Sequence, residues 1–470
     1  MPTEDNTDVS TVKMIHETLL MQKEYFKTGE TLDVEFRLEQ LKKLKSALYE
    51  NESKIQEVIY NDMKKPYFEL FTTELSYVYS EINFAIKKLK KWIKGEKLKT
   101  PLPNYKAKTR LIPEPYGNVL IIGPWNFPLM LSINPFIGAI SAGNCVVLKP
   151  SEVAVHTSKF LTKLINDTFD SRYVSAIHGG IDISQALINE SWDYIFFTGS
   201  TRVGKIVYQA AAKNLTPVTL ELGGKSPVIV DKRTSISKTA EAIVFGKYFN
   251  VGQSCVAPDF LYVHTEIKEQ LLDAIEKRLK KHYGDLTKPN EHLARIINED
   301  HFKRLKTYFD HGKIVIGGYT DQKELYISPT ILVDIDQTKM VMQEEIYGPV
   351  LPVLEYSNVG QVINYLQNHD KPLTMYLFSN DKDFVKTVIK YSSSGSVVVN
   401  DAIVQFVDKN FPFGGVGASG IGSYHGYKTF ETFSHFKGVM FRSRFINFSK
   451  FIRDPPYTEF KLKLAKLLLK

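Results

Sequence analysis

Two side chains with complementary chemistry lie on turn-like parts of the sequence. Cys255 ends the run Asn-Val-Gly-Gln-Ser-Cys, which has the composition of a loop. Glu221 ends a strand-like run, and a glycine pair follows it at Gly223 and Gly224. Catalytic groups are commonly carried on such connections. A thiolate can attack a carbonyl carbon and a carboxylate can then activate water, so Cys255 and Glu221 are a candidate nucleophile and base.

A third polar group lies in a loop bounded by Pro124 and Pro128. This loop, Pro-Trp-Asn-Phe-Pro, would hold the amide of Asn126 as a rigid donor toward an oxyanion, although an ordinary turn asparagine is the alternative. Cys145 lies in an apolar strand-like run, and we expect it to be an inert packing residue. No histidine pair has zinc-ligand spacing with a supporting Cys or Glu, so no metal site is predicted.

Two further turns indicate a phosphorylated cofactor. Lys149 and Glu152 follow a strand-like run and could hold the two hydroxyls of a ribose, or could be a helix cap with solvated charges. Residues 197–205, Phe-Thr-Gly-Ser-Thr-Arg-Val-Gly-Lys, lie between a strand and a helix, as a pyrophosphate site does. Ile206 breaks the P-loop pattern and Thr201 breaks the dinucleotide pattern, so an ordinary strand–helix turn stays an equal alternative.

Alternating strand and helix patterns must position these turns. Helical periodicity with many Lys and Glu residues covers about 9–95. Strands are then predicted in two series, at Val119–Ile122, Val146–Leu148, Ser175–His178, Tyr194–Phe197 and Val218–Leu222, and at Pro227–Val230, Leu261–His264, Lys313–Ile316, Thr330–Val333 and Ser396–Asn400. The alternation predicts an α/β fold with a Rossmann-like cofactor domain and a second α/β catalytic domain, which meet near 222–226.

Two basic segments lie outside these domains. Residues 106–112 alternate like an exposed strand, which indicates a small β arm. Near the end of the chain, one helical face would carry Phe460, Leu464, Leu467 and Leu468, and another would carry Lys463, Lys466 and Lys470. This tail is either a terminal helix docked on its own protein or a basic amphipathic anchor on a membrane surface.

The composition narrows the class of protein. The chain has 470 residues, of which 43% are hydrophobic, so it is globular and large enough for two or three domains. Its net charge of +8 is a modest excess, and no nucleic-acid partner is expected. Two distant cysteines favour a reducing compartment. The first ten residues lack the features of a signal peptide, and prolines interrupt the apolar stretch 117–148, so a cytoplasmic location is predicted.

Taken together, the motifs resemble the aldehyde dehydrogenase superfamily in order and approximate spacing. The matching segments are 124–128, 149–152, 197–204, 221–225, 252–255, 344–349 and 412–415. The resemblance extends from about residue 10 to 440. Residues 255–259, 422–426 and 430–433 are similar to class 3, the branch that acts on fatty and aromatic aldehydes.

The resemblance implies a role for each candidate residue. Cys255 would form a thiohemiacetal and then a thioester, Asn126 and the backbone N–H of Cys255 would bind the oxyanion, and Glu221 would activate the hydrolytic water. The residues expected to bind the cofactor are Lys149 and Glu152 at the adenine ribose, Gly199, Ser200 and Gly204 at the pyrophosphate, Leu222, and Glu345 with Tyr347 at the nicotinamide half. Tyr347 stands where the family commonly has Phe.

The resemblance also implies an organisation into domains and a homodimer. The NAD(P)-binding domain would comprise 1–95 and 115–222 with part of 410–445, the bridging arm 96–114 and about 401–412, the catalytic domain 223–400, and the basic tail 446–470.

An apolar tunnel for the aldehyde is predicted from five side chains, Trp125, Phe127, Met130, Leu131 and Phe413. It would favour medium or long aliphatic, aromatic or isoprenoid aldehydes. Glu152 should repel a 2′-phosphate, which favours NAD, with NADP as the alternative. An acylating enzyme that passes the thioester to coenzyme A or phosphate is a second hypothesis, and a non-catalytic binding protein on the same scaffold is a third.

Overall fold

The computed structural model describes residues 9–101, 104, 107–442 and 454–469. The helices are α1 Val9–Lys27, α2 Val34–Glu50, α3 Glu52–Met63, α4 Tyr67–Leu70, α5 Ser76–Trp92, α6 Met130–Ala142, α7 Val155–Thr168, α8 Ile181–Asn189, α9 Thr201–Ala212, α10 Ile236–Tyr248, α11 Lys268–Tyr283, α12 Glu299–Thr307, α13 Met340–Gln343, α14 Val359–Asn368, α15 Lys382–Tyr391, α16 Tyr427–Thr432 and α17 Glu459–Leu469. The strands are β1 Glu96–Leu98, β2 Lys108–Pro115, β3 Asn118–Ile122, β4 Cys145–Lys149, β5 Val174–Ala176, β6 Tyr194–Thr198, β7 Val218–Glu221, β8 Pro227–Val230, β9 Phe260–His264, β10 Lys313–Ile316, β11 Thr320–Asp321, β12 Tyr326–Ile327, β13 Thr330–Val333, β14 Val350–Tyr356, β15 Thr374–Phe378, β16 Ser396–Val399, β17 Gly420–Ile421 and β18 Ser434–Phe441.

The first large sheet has six strands in the order β17-β7-β6-β3-β4-β5, and all of its neighbours are parallel except β17. Its central strands β3, β4 and β6 are buried along their whole length and largely apolar, as expected of parallel strands covered by helices on both faces. Val119 and Ile121 contribute to the core shared with α5 and α6, whereas Leu120 contributes to the core shared with α1 and α9. The carboxyl ends of β3, β4, β6 and β7 meet at one edge, where ligands bind in open parallel sheets.

The second large sheet has seven strands in the order β10-β13-β14-β9-β8-β15-β16, and only β10 is antiparallel to its neighbour. The predicted α/β fold and both strand series are confirmed. Two strands of this sheet, β14 and β15, are missing from the prediction. Both are fully apolar on at least one face and pair directly with β9 and β8, so they belong to the centre of the sheet.

A separate three-stranded sheet, β1-β2-β18, forms the arm. The predicted strand at 106–112 is present as β2, Lys108–Pro115, whereas Lys106 lies outside the described residues. The predicted contribution of 401–412 to this arm is wrong. Its place is taken by β18, which pairs with β2 along its whole length, while 401–412 contains the 3-10 helix Val404–Val407 and packs Phe406 on the main core.

Among the residues described near the end of the chain, Glu459–Leu469 form helix α17. The side chains of Phe460 and Leu467 are 67% and 78% exposed. The predicted positions Leu468 and Lys470 lie outside the residues whose side chains are described. In the described parts of the chain, no helix combines the length and apolar character that a membrane crossing requires.

Candidate active site

The segment before Cys255 has an unusual backbone. Asn250 and Val251 have φ of 48° and 51°, in the left-handed region that a β-branched residue such as Val251 rarely occupies. Gly252 also has positive φ, and a Cβ there would collide with the carbonyl oxygen of Gly348. The loop is therefore strained and tightly packed, as backbone at functional sites often is, and it leaves Cys255 half-buried.

The predicted oxyanion donor lies beside this loop. Asn126 is 1% exposed, and its Nδ2 donates to the carbonyl oxygen of Gln253 at 3.2 Å. Asn250 Nδ2 in turn donates to the carbonyl oxygen of Asn126 at 3.0 Å. The loops that carry Asn126 and Cys255 are thus joined by reciprocal hydrogen bonds. The side-chain amide of Asn126 binds the carbonyl of Gln253, which precedes Cys255 by two residues in the chain.

Glu221 ends β7 at the same place. It is 3% exposed, and neither carboxylate oxygen has a hydrogen-bond partner among the described residues. Burial raises the pKa of Glu221 well above its ordinary value. Burial and the negative charges of Glu345 and Glu221 also raise the pKa of the Cys255 thiol. Burial thus favours the neutral forms of both groups, and a carboxylate with a raised pKa binds a proton more strongly when it acts as a base.

The edge of the six-stranded sheet carries the residues predicted to bind the adenine ribose. Lys149, at the end of β4, is 1% exposed, and its ammonium forms an ion pair with Glu152, whose side chain is 35% exposed. Partial burial, together with the charges of Lys149 and Lys159, lowers the pKa of His178. A buried cation beside an accessible carboxylate suits a ligand that presents hydroxyl groups.

The predicted pyrophosphate turn precedes α9. Ser200 caps this helix by accepting a hydrogen bond from the N–H of Val203 at 3.4 Å. Gly204 has no room for a side chain because Leu222 packs against its Cα. The open N-terminus of α9 beside the bare backbone of Gly199 is a suitable cradle for phosphate oxygens. Leu222 therefore lies beneath this cradle and supports α9.

Glu345 and Tyr347 precede β14 in the chain, and both lie close enough to Cys255 to interact with it electrostatically. The carboxylate of Glu345 occupies the space that a Cβ at Gly223 would need, and it accepts a hydrogen bond from the N–H of Gly224. Burial and the charge of Asp259 raise the pKa of Glu345 to about 8. Tyr347, with φ of 53°, packs edge-on against Trp125 at 5.3 Å between ring centroids.

The five predicted tunnel residues share one apolar cluster. Phe127, Met130, Leu131 and Phe413 are buried in it, and Trp125 and Cys255 pack against it. Sequence reasoning missed neighbouring residues that line a cavity of about 190 Å³, among them Tyr77, Phe406 and His425. These three are far apart in sequence, so no local pattern indicated that they meet. The described residues contain no cluster of groups that could hold a metal ion.

This arrangement brings Cys255, Asn126 and Glu221 to the place where the carboxyl edge of one sheet meets the amino edge of the other. The model of the aldehyde dehydrogenase family matches residues 6–439. The chain belongs to this family. It is 43% identical over 98% of its length to 4,4'-diaponeurosporen-aldehyde dehydrogenase from Staphylococcus aureus, all of which is covered.

Other relatives give the same result. Aldehyde dehydrogenase family 3 member B1 from Bos taurus is 42% identical, with coverage of 96% of this chain and 97% of the relative. A solved structure described as the substrate-bound state of Staphylococcus aureus AldH is 43% identical and covers 97% of this chain and 99% of its own, with a TM-score of 0.94. The predicted class 3 resemblance is confirmed, and the protein is an enzyme.

Proposed function

We propose that this enzyme oxidises apolar aldehydes to carboxylic acids with NAD or NADP as the hydride acceptor. The observation that carries the proposal is the meeting of three groups in one buried recess: the thiol of Cys255, the amide of Asn126 and the unpartnered carboxylate of Glu221. No single group of the three would indicate this reaction, but together they supply nucleophile, oxyanion donor and base.

The reaction follows from these roles. Cys255 releases its proton to solvent and the thiolate sulfur attacks the aldehyde carbon, which gives a thiohemiacetal oxyanion stabilised by the Asn126 amide. The oxyanion collapses and the aldehyde hydrogen leaves as hydride, so the carbon is oxidised to a thioester. Glu221 then takes a proton from water, and the resulting hydroxide attacks the thioester. The carboxylic acid leaves and Cys255 is regenerated.

The residues at the sheet edge fit a nicotinamide dinucleotide. Lys149 and Glu152 would hold the adenine ribose, the turn at Gly199 and Ser200 would hold the pyrophosphate, and Glu345 would hold the second ribose. When bound, the nicotinamide ring accepts the hydride. Glu152 disfavours a 2′-phosphate by charge repulsion, so NAD is expected to be the better cofactor and NADP the weaker one.

An apolar aldehyde is the expected substrate class. The cluster beside Cys255 is formed by apolar and aromatic side chains, of which Phe127 and Phe249 stack at 5.6 Å. The relative from Staphylococcus aureus is named for 4,4'-diaponeurosporen-aldehyde. We expect the present enzyme to prefer a long unsaturated or aliphatic aldehyde over a small polar one.

Transfer of the acyl group to coenzyme A or phosphate is the second candidate. The buried carboxylate of Glu221 favours hydrolysis, because an acylating enzyme gains nothing from a base for water. Glu221→Gln should still release one equivalent of NADH rapidly and then stall. If coenzyme A were required for steady turnover of the wild type, the acylating reaction would be the correct one.

The direct test measures NADH formation with octanal, benzaldehyde and glycolaldehyde. Cys255→Ser should lower kcat by about 10⁶-fold, the scale seen when a covalent nucleophile is removed. Cys145→Ser is the matched control, because Cys145 is buried in β4 away from the reaction, and it should stay close to wild type. Full activity of Cys255→Ser would overturn the mechanism, and equal use of glycolaldehyde would overturn the substrate preference.

The domain division and a homodimer are part of the proposal. The cofactor unit corresponds to the six-stranded sheet and the catalytic unit to the seven-stranded sheet. The edge strands β16 and β18 carry exposed apolar side chains, including Val399 at 41% and Phe441 at 56%. Pairing of β18 with β16 of a second copy would cover both edges. Light scattering should give a dimer mass, and a monomer mass would contradict this arrangement.

The tail helix α17 is proposed to contact an anionic membrane surface. Its exposed Phe460 and Leu467 lie near Lys463 and Lys466 in sequence. Each lysine could contribute about 1 kcal/mol on an anionic leaflet. The wild-type protein should sediment with anionic vesicles and not with neutral ones. The variant K463E/K466E should no longer sediment with anionic vesicles. Equal sedimentation of the variant would disprove the contact, and the cytoplasmic location stays a prediction.

A further inference from the structure

A buried ion pair lies behind the two loops that form the active site. Lys65 Nζ and a carboxylate oxygen of Glu74 are 2.7 Å apart, and both side chains are 0% exposed. Removing two charges from water is costly, and such pairs persist only where further hydrogen bonds complete them. The contacts of this pair therefore indicate what it does.

Those contacts lead to the oxyanion loop. Lys65 Nζ donates to the carbonyl oxygen of Asn126 at 3.2 Å. The other carboxylate oxygen of Glu74 accepts hydrogen bonds from the N–H groups of Leu129 at 3.0 Å and Met130 at 3.3 Å, where α6 begins. A carboxylate at this position satisfies N–H groups that a helix leaves free and interacts favourably with its dipole. The pair thus holds the loop at Asn126 and at the junction with α6.

The same segment also reaches the nucleophile loop. Glu69 Oε1 accepts a hydrogen bond from the N–H of Asn250 at 2.9 Å, at the first of the two left-handed residues. Asn250 Nδ2 donates both to the carbonyl oxygen of Asn126 and to that of Gln253, each at 3.0 Å. Asn126 is therefore fixed from two sides, by Lys65 on one and by the loop of Cys255 on the other.

Glu74 lies in an irregular helical turn that faces the start of α6. Residues Phe71–Leu75 form a π-helical turn between α4 and α5, and Thr73, Glu74 and Leu75 are all buried. Such turns are rare and occur frequently at functional sites. Glu74 is thus held in the interior by the turn that joins α4 to α5.

We propose that Lys65 and Glu74 are positioning residues that hold the Asn126 amide at the site of the developing oxyanion. They touch no substrate and act through Asn126, so their removal should lower the rate of the chemical step and leave substrate and cofactor binding nearly unchanged. This inference rests on the proposed function, because it assigns the pair to the oxyanion of the thiohemiacetal.

A double-mutant cycle tests the inference. K65M/E74Q removes the charges together and so avoids leaving one of them buried alone. In the native background we expect kcat to fall about 10- to 100-fold, with the KM values for aldehyde and NAD changed less than about threefold. In an Asn126→Ala background the same pair of substitutions should change kcat less than about threefold, because the group they position is already gone.

Equal losses of kcat in both backgrounds would overturn the inference, as would an unchanged kcat in K65M/E74Q. Lys64→Met is the matched control, since the adjacent Lys64 pairs with Glu324 at 2.6 Å on the surface and should leave kcat unchanged. If K65M/E74Q does not fold, Lys65→Arg provides the same cycle, because a guanidinium retains the pair with Glu74 but not the compact donor to Asn126.

The two proposals fail in different ways. A wild-type enzyme that forms no NADH from any aldehyde would reject the proposed function. If the wild-type enzyme is active but K65M/E74Q lowers kcat equally in the native and Asn126→Ala backgrounds, only the role of Lys65 and Glu74 is rejected.

Discussion

Among the lysine–glutamate pairs of the described residues, two have a lysine that is almost fully buried, and they differ in the exposure of the glutamate. Lys65–Glu74 is closed to water, with 0% exposure on both sides, whereas Lys149–Glu152 has a 1% exposed lysine and a 35% exposed carboxylate. The closed pair directs its remaining hydrogen bonds to the protein backbone. The open pair keeps a carboxylate accessible at the edge of the sheet.

This difference separates two uses of the same chemistry. A pair whose hydrogen bonds are all taken up by the protein fixes the shape of the site, while a pair with an accessible partner can bind a ligand. Charge and residue type alone do not distinguish them. The exposure of the glutamate does, and the following predictions test whether it decides the role.

The largest difference is expected in stability. Lys65→Met leaves the carboxylate of Glu74 buried without its cation, which should cost about 3–5 kcal/mol of unfolding free energy. Lys149→Met leaves a partly solvated carboxylate, and the loss should be about 1 kcal/mol or less. Urea denaturation measures both variants. Similar losses would show that exposure does not separate the two pairs.

Cofactor binding should respond in the opposite way. Lys149→Met removes a charged hydrogen-bond donor proposed to meet the ribose, which should raise the KM for NAD about tenfold, equivalent to about 1.4 kcal/mol. The kcat at saturating NAD should stay within about twofold. Steady-state kinetics is measured for K65M/E74Q as the comparison. If the KM for NAD rose more in K65M/E74Q than in Lys149→Met, the assignment of Lys149 to the ribose would be contradicted.

A smaller effect is expected from the accessible carboxylate. Glu152→Gln removes the charge that would face a 2′-phosphate, so kcat/KM with NADP relative to NAD should rise about fivefold, equivalent to about 1 kcal/mol. The ratio is measured with one aldehyde at fixed pH. Asp167→Asn, at an exposed carboxylate in α7 that pairs with Lys163, is the control and should leave the ratio unchanged.

The smallest expected effect is a change in a titration. The pKa of His178 lies below its ordinary value through partial burial and the charges of Lys149 and Lys159. Since a lowered pKa disfavours the imidazolium, the associated stability is present at neutral pH and is lost as the pH falls through 6.5 and below. Lys149→Met should raise the pKa of His178, which NMR of the imidazole can follow. K65M/E74Q should leave that titration where it is.

Much of the architecture could be predicted because local patterns in the sequence, apolar runs followed by turns, indicate its strands and their ends. Each of the turns that carry Glu221, Lys149 and Gly199 follows an apolar strand, and parallel strands bring such ends to one edge. The strand β18 could not be assigned to the arm, because its pairing with β2 joins residues more than 300 positions apart in the chain.

The burial of Lys65 and Glu74 is a second feature that could not be predicted from the sequence. Lys65 stands in Lys-Lys-Pro and Glu74 follows two threonines, and the residue types alone are typical of solvated surface positions. Their burial depends on α6 and the loop of Asn126 packing over them, which no local pattern reports. Neighbouring Lys64 has the same residue type and local context, yet it lies at the surface.

The π-helical turn at Phe71–Leu75 has a consequence for insertions and deletions. A π-helical turn contains about one residue more than an α-helical one, so deletion of exposed Thr72 would let α4 and α5 join as one regular helix with the core-facing side of α5 kept in phase. The extra residue lies between Glu69 and Glu74, whose carboxylates bind the loops of Cys255 and Asn126. Its loss would therefore change the spacing of the two carboxylates that hold the active-site loops.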